Sequence, residues 1–368
     1  MEIKISQTEL NKIIGTVSKF TTNGNTMPIL AGILIKVEKE KVTFSASNLE
    51  TQIYLDTNNV EIIEPGEIVI TARLLSDLIK KTASGVTVHL KTEDGNSEVI
   101  IKCGKSKINL QCFPAETFPN IKINTAEAKF KIKSNELRSF ITHTTFAAAT
   151  DDVKPIFKGC LIEVIDNVCT FVALDGYRMA VKSSQIEAEG NTSAVVPANY
   201  LNTLLRVLEK DNEEVEIGIS DGQIFFILGS TLIASCLING NFIDYKGIGK
   251  STNNVIKVKV NANDFKGCID RASLISHENK NNLIIIDINE KTMSINAASE
   301  YGSVKEEVEV ESEGKIKIGF NSKYISDVLK VLDSETLRID LISSTNPCFI
   351  KDAEKEDYSY MLLPVRIA

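Results

Sequence analysis

The sequence has no apolar run approaching the roughly 18 to 20 residues that cross a bilayer. Its start, MEIKISQTEL, alternates like a strand where a secretory signal would carry an apolar core. A cytoplasmic, soluble chain is expected. Histidine is scarce, with His89, His143 and His277 each standing alone, so no H-E-x-x-H or H-x-E spacing brings two metal ligands together. The seven Cys include no C-x-x-C pair, and most lie inside apolar stretches such as KGCLIEV and NVCTFVAL. They read as reduced core thiols, not as zinc ligands or disulfides. A phosphate loop is missing too, because the GKS at 249 to 251 has Asp244 where the earlier Gly is required. The acidic runs EEVEVESE (306 to 313) and EKED (354 to 357) read as strand alternation and solvated loop. No metal, cofactor or catalytic residue is expected. A net charge of −8 argues against a simple basic nucleic-acid binder, although the sum says nothing about where the charges sit.

What the sequence has is internal repetition. The stretch IKISQTELNKIIGTVSKF (3 to 20) returns as FKIKSNELRSFITHTTFAAA (130 to 149) and as IKVKVNANDFKGCIDRASLIS (256 to 276). In each, a polar residue at a helix-cap position (Ser6, Ser134, Asn261) precedes apolar residues at helical spacing. These are Leu10, Ile13, Ile14 and Val17 in the first copy, Leu137, Phe140 and Ile141 in the second, and Phe265, Ile269 and Ala272 in the third. A second unit recurs in the same order as VITARLLSDLIKKTASGVTVHL (69 to 90), VVPANYLNTLLRVLEKDNEEVEIGI (195 to 219) and IGFNSKYISDVLKVLDSETLRIDL (318 to 341), each with an apolar stripe beginning at Leu74, Tyr200 and Tyr324. Alternating strands lie between the two helices of every copy. The fold class is α+β, a threefold internal repeat with two helices against antiparallel sheets per domain, and the domains are placed at 1–124, 125–249 and 250–368.

Each helix has one apolar stripe, so its other face should meet solvent. The six helix windows together carry +3, against −11 for the rest of the chain. Lys12, Lys19, Arg73, Lys80, Lys81, Arg138, Arg206, Lys210, Lys266, Arg271, Lys323 and Lys330 are therefore candidates for facing a polyanion. They would serve equally as ordinary solvated helix residues.

The stretch ALDGYRMAV (173 to 181) separates into two pieces. Its entry strand recurs as TFSAS, TFVAL and SINAA, but Asp-Gly-Tyr-Arg-Met does not, since copy one has NLETQ and copy three SEYGS. The exit is expected to belong to the second repeat alone, as a single binding site on a threefold frame requires.

The repeat order, with DGYRMAV, GFNSKYISDVLKVL and the C-terminal YMLLPVRI, resembles the bacterial sliding clamp family, the beta subunits of DNA polymerase III, over essentially the whole chain. The resemblance implies the DNA clamp fold in a head-to-tail homodimeric ring, with helices lining a central hole around double-stranded DNA. It implies a non-catalytic processivity factor, loaded by an ATP-dependent clamp loader. Partners such as the polymerase alpha subunit, other polymerases and repair proteins would engage it through short linear motifs. The peptide pocket it implies comprises Phe157, Leu174, Gly176, Tyr177, Arg178, Met179, Ile243, Ile248, Asn321, Tyr324, Pro347, Met361, Leu363, Pro364, Val365 and Arg366. Its Met, Leu, Ile and Val would form an adaptable apolar groove, and Arg178 and Arg366 would fix a carbonyl or carboxylate. Where the family carries His, Pro and a basic residue, this chain has Tyr177, Ile243 and Gly247. Among the helix cations, Arg73, Lys12, Lys80, Lys81, Arg138, Arg206, Lys210, Lys266 and Lys323 would face DNA, while the 21 to 26 loop lacks the basic residue often found there. The subunit contact would join Lys105, Lys107, Ile108 and Leu110 of one copy to Leu274, Ile275, Glu306 and Glu307 of the other. Two other readings stay open. One is a metal-dependent nuclease; the other is a monomeric three-domain scaffold that binds peptides and not DNA.

Overall fold

The computed structural model of the chain describes residues 1–22, 27–92, 97–119, 128–188, 190–208, 212–220, 222–248, 255–279 and 281–367. The first repeat runs β1 (Glu2–Ser6), α1 (Gln7–Val17), β2 (Gly32–Val37), β3 (Val42–Ser47), β4 (Thr51–Thr57), β5 (Glu61–Glu64), β6 (Gly66–Thr71), α2 (Ala72–Lys81), β7 (Thr87–Thr92), β8 (Glu98–Cys103) and β9 (Ser106–Phe113). The second runs β10 (Ala128–Lys133), α3 (Ser134–Thr144), β11 (Gly159–Ile165), β12 (Val168–Leu174), β13 (Arg178–Gln185), β14 (Thr192–Pro197), α4 (Ala198–Leu205), β15 (Glu214–Ser220), β16 (Gln223–Leu228) and β17 (Thr231–Cys236). The third runs β18 (Ile256–Asn261), α5 (Ala262–Ser276), β19 (Leu283–Ile288), β20 (Thr292–Ser299), β21 (Gly302–Ser312), β22 (Ile316–Asn321), α6 (Ser322–Val331), β23 (Thr336–Leu341), β24 (Cys348–Asp352) and β25 (Tyr358–Leu362).

The helices start where side chains satisfy their first free N–H groups. Ser6 Oγ accepts from Glu9 N at 3.2 Å, Asn261 Oδ1 from Asn263 N and Asp264 N at 2.9 and 3.1 Å, and Asn321 Oδ1 from Lys323 N at 3.0 Å. The second copy departs from the expected pattern, for α3 begins at Ser134 itself. Several helices are shorter than their sequence windows. After Val17 and Thr144 the chain tightens into 3-10 turns (Ser18–Phe20, Thr145–Ala147), and Thr82, after Lys81, is already extended.

The apolar stripes are buried or half-buried as their spacing predicts, with one exposed exception. Leu75 and Ile79 of α2 are buried, but Leu74 is exposed; the same helix position is buried Tyr200 in α4 and half-buried Tyr324 in α6. A stripe about 100° wide takes only part of each turn, and this position lies at its edge. Phe140 of α3 stacks on Phe171 at 4.6 Å with both rings fully buried. Truncating such a phenyl costs about 3–5 kcal/mol.

The described residues form two compact units, Met1–Asn135 with Thr203–Leu237 and Glu136–Asn202 with Ile238–Ala368. The first contains an antiparallel sheet ordered β10-β15-β16-β17-β4-β3-β2-β6-β9-β8-β7-β1-β5, the second one ordered β14-β11-β12-β13-β25-β24-β23-β18-β21-β20-β19-β22. Sheets thus run through the repeat boundaries: β17 of repeat two pairs with β4 of repeat one, and β25 of repeat three with β13 of repeat two. The compact units therefore cut across the second repeat. The expected boundaries at 124/125 and 249/250 lie outside the described residues.

All seven Cys are free, five of them buried; burial pushes the Cys160 thiol up to about 12. Such thiols stay protonated and unreactive at neutral pH.

Candidate functional site

The turn Asp175–Gly176–Tyr177 joins β12 to β13. Asp175 Oδ1 accepts from Tyr177 N (2.8 Å) and Arg178 N (2.9 Å), and Gly176 takes φ +93°, a conformation costly for a residue with Cβ. The first repeat builds the same turn, and the third keeps one of its hydrogen bonds. Asn48 Oδ1 accepts from Glu50 N (3.1 Å) and Thr51 N (2.7 Å) with Leu49 at φ +78°, and Ser299 Oγ accepts from Tyr301 N (3.2 Å). The sequence comparison assigned the exit of this stretch to repeat two alone. Repeats one and two share this turn backbone, whereas in the third Glu300 has no positive φ and Gly302 takes φ +153° instead.

Arg178 is 8% exposed, and each nitrogen of its guanidinium is engaged within the chain. Nε donates to Asp175 Oδ2 (3.0 Å), Nη1 to Asp327 Oδ2 (2.8 Å) and Nη2 to the Phe146 carbonyl (2.8 Å), while the plane lies 4.6 Å from the Tyr324 ring centre. Burial alone would raise the Asp327 pKa, but hydrogen bonds from Arg178 and Lys330 outweigh it and hold the carboxyl below its ordinary value. This cation, expected to fix a ligand carbonyl, ties the turn to α6 within the chain. Asp175, Asp327 and Phe146 were missing from the sequence-derived set, although the two carboxylates stand inside the quoted DGYR and YISDVL stretches.

Around this clamp lies an apolar cluster of Phe157, Leu161, Val172, Leu174, Met179, Val195 and Met361, with Ile156, Ile238, Phe242, Tyr245, Ile248 and Leu363 packed against it. It brings together Phe157, Leu174, Met179, Ile248, Met361 and Leu363 of the expected set. Phe242 and Tyr245 are additions that no motif marked. Tyr177 (63% exposed) stacks on half-buried Tyr324 at 6.4 Å, and Ile243 is 45% exposed. Lys154 Nζ stands 5.0 Å from the Phe157 ring centre. Asn321 is spent as the α6 cap, Pro347 is half-buried between β23 and β24, and Arg366 is exposed.

The C-terminal segment is pinned where a tail would otherwise fray. Leu363 N donates to the Tyr177 carbonyl (2.8 Å) and Val365 N to the Gly319 carbonyl (2.8 Å). A Cβ on Gly319 would stand 2.7 Å from the Val365 carbonyl oxygen, so only glycine admits this approach. Leu363, Pro364 and Val365 are held half-exposed. This is a rigid ledge with two aromatic rings and aliphatic side chains open to a ligand.

Of the helix cations, Lys12, Arg73, Lys80, Lys81, Arg206 and Lys323 are exposed, Arg138 and Lys266 are half-buried, and Lys210 lies outside the described residues. Lys19 donates to the Arg206 carbonyl at 2.8 Å, and burial followed by repulsion from Arg206 lowers its pKa. Arg271 and Lys330 are ion-paired, with Glu306 (2.6 Å) and Asp327 (3.0 Å). Residues 23–26 of the expected DNA-side loop, and GKS at 249–251, lie outside the described residues.

Lys105 and Lys107 are exposed, with Ile108 and Leu110 half-buried on β9; Leu274 is 70% exposed on α5, Ile275 half-buried, and Glu306 and Glu307 lie on β21. Both strands are partnered on one side along their length, but on the other only at one end. β9 meets β6 through Cys112 and Phe113, and β21 meets β18 through Val310 to Ser312. Among the described residues no three His, Cys, Asp or Glu side chains gather as a cation's ligands would, and no helix is long and apolar enough to cross a membrane.

Three family models match in succession: DNA polymerase III beta subunit, N-terminal domain (residues 1–122), central domain (131–244) and C-terminal domain (251–366). The beta sliding clamp of Staphylococcus epidermidis is 30% identical over 370 residues, covering 97% of this chain and 96% of that protein. That of Pseudomonas aeruginosa is 29% identical over the full length of both. The crystal structures of the P. aeruginosa and Bacillus subtilis DNA polymerase sliding clamps are each 28% identical, cover all of both chains, and superpose with TM-scores of 0.94.

Proposed function

The chain belongs to the DNA polymerase III beta subunit family, the bacterial sliding clamps, and from that premise we propose that two copies close head to tail into a ring around duplex DNA. Family membership itself supplies the activity, that of a non-catalytic processivity factor with DNA and a polymerase as partners. The observation that carries the ring is the pair of open strand edges. Inside the chain, the last strand of one repeat twice pairs with the strand after the turn in the repeat before it, β17 with β4 and β25 with β13. That rule leaves β9 of the first repeat and β21 of the third without a cross-repeat partner, each paired only with strands of its own repeat. A second copy supplies both, and two identical contacts between unlike surfaces close a ring.

The exposed cations Lys12, Arg73, Lys80, Lys81, Arg206 and Lys323 line the hole in this reading, with Arg138, Lys210 and Lys266. A ring held by topology needs only a mild positive lining, since each strong phosphate contact adds affinity but retards sliding. The three domains would part near residues 124 and 249. The ledge around Tyr177, Tyr324, Met361 and Leu363 would receive short apolar motifs of the polymerase alpha subunit, the clamp loader, other polymerases and repair proteins, in the cytoplasm.

The test is to load the protein onto nicked circular DNA with a clamp loader and then linearise the DNA. A topological ring slides off the free ends with a lifetime almost independent of salt. Retention on the linear DNA, lost steeply as salt rises, would overturn the ring in favour of phosphate binding.

A further inference from the structure

The segment 238–248 forms one wall of the ledge, and little within the segment fixes it. Ile238, Phe242, Tyr245 and Ile248 pack against the apolar cluster, and Ile243 is exposed beside them. Its regular structure is one 3-10 turn, Tyr245–Gly247, capped by Asp244 Oδ1 accepting from Lys246 N at 3.1 Å. A single turn of this kind has almost no stability of its own.

The sheet beneath supplies the anchor. Leu161, Val172 and Val181 face one another across β11, β12 and β13 and carry part of the apolar cluster. Two residues along each strand, on the same face, stand Glu163, Thr170 and Ser183 in a polar row. Thr170 Oγ1 and Ser183 Oγ lie 3.0 Å apart. Tyr245 reaches onto this row, where its hydroxyl donates to Glu163 Oε2 at 2.9 Å, and Lys246 Nζ lies 2.7 Å from the same oxygen. Burial, and then the bond to Glu163, raise the Tyr245 pKa, so the hydroxyl keeps its proton and is the donor. The Glu163 side chain is 17% exposed. Its counterpart by ladder position in repeat one is Lys36, opposite Thr43, which is exposed and pairs with Glu38 at 2.9 Å. The acceptor thus stands in the repeat that carries the ledge.

We propose that Glu163 is a positioning residue for partner binding: by latching Tyr245 and Lys246 to the sheet it holds the 238–248 wall against the apolar cluster and withdraws the wall's cation from the ligand. This rests on the ledge being the peptide site. A latched wall spares the ligand the cost of ordering it, whereas a wall in place only part of the time weakens binding by that fraction. Lys246 is the one Lys or Arg in 238–248. With it tied to Glu163, the exposed charge left on the wall is that of Asp244, so an acidic motif gains no attraction there.

The experiment uses the full chain and two synthetic peptides, the ledge-binding segment of a polymerase alpha subunit and the same segment with one Asp added, titrated by calorimetry. Glu163→Ala should weaken the first peptide about tenfold, and Glu163→Gln, which keeps an acceptor for the Tyr245 hydroxyl, should recover most of that loss. Because Glu163→Ala frees Lys246, the acidic peptide should lose about threefold less than the neutral one. Adding Tyr245→Phe to Glu163→Ala should weaken binding no further, since both break one latch. Amide exchange at Ile248, whose N–H donates to the Tyr245 carbonyl at 3.1 Å, should quicken in Glu163→Ala while β11 stays protected. Undiminished affinity in Glu163→Ala, or losses that simply add in the double variant, would overturn the latch while the peptide site stands. Weaker binding together with lost β11 protection would make Glu163 a residue of the fold alone and overturn its positioning role. A parent chain that takes up neither peptide would overturn the site itself.

Discussion

Replacing Arg178 with Met keeps much of the aliphatic stem and removes the guanidinium that three acceptors share. Asp327 then loses its 2.8 Å donor in a half-buried setting, Asp175 loses a 3.0 Å donor, and the Phe146 carbonyl loses a third. Breaking a buried ion pair from one side costs about 3–5 kcal/mol. Asp327 keeps Lys330 at 3.0 Å and Asp175 keeps two backbone N–H donors, so the low end, about 3 kcal/mol, is expected. Hydrogen exchange suits a chain of two compact units, because it reads local opening without assuming one global transition. The opening free energy of β13 and β25 should fall by about that amount at about pH 7. The deficit should shrink with acidification. In the parent chain Asp327 titrates below its unfolded value, so its contribution is present above that value and lost as pH falls through the folded one. In the variant, desolvation dominates and raises the folded pKa, which makes a penalty that protonation relieves between about pH 7 and pH 4. A deficit independent of pH, or a drop under about 1 kcal/mol confined to peptide affinity, would refute the reasoning and return Arg178 to ligand binding.

The remaining expectations separate the ledge from the frame that holds it. Tyr177→Ala, at an exposed ring, should leave the melting profile within about 0.5 kcal/mol and lower affinity for a polymerase motif peptide by more than about 1 kcal/mol, measured by calorimetry. Gly319→Ala should displace Val365 and cost about tenfold in the same assay, with β22 exchange protection unchanged. His143 is half-buried with its pKa lowered chiefly by desolvation, so the unit that contains it should lose stability as pH falls below the unfolded value of about 6.5. His143→Gln should flatten that dependence in a thermal melt taken across the range.

How much was legible beforehand differs from element to element. The stripes of α1, α3 and α5 could be read because burial on one helix face imposes a periodicity that survives in one dimension. Leu74 could not, since whether the edge of a stripe is covered depends on what packs beside it. The turn shared by repeats one and two escaped notice because Asn48 and Asp175 are different residues whose side-chain oxygens accept from the same two N–H groups. Sequence identity was the wrong measure of a shared hydrogen bond.

Two things were settled by the chain's own order of residues: three α+β repeats, and a scarcity of His and of C-x-x-C pairs that left no metal chemistry to expect. Both are local or periodic properties, carried by residues near one another in sequence. Tertiary structure decided the rest. It put Arg178 between carboxylates 3 and 149 residues away and closed sheets across repeat boundaries. Two strands, β9 and β21, were left without the cross-repeat partner that β4 and β13 have. Those outcomes turn on which distant groups meet, and the pairing of distant strands is fixed only when their side chains share a core.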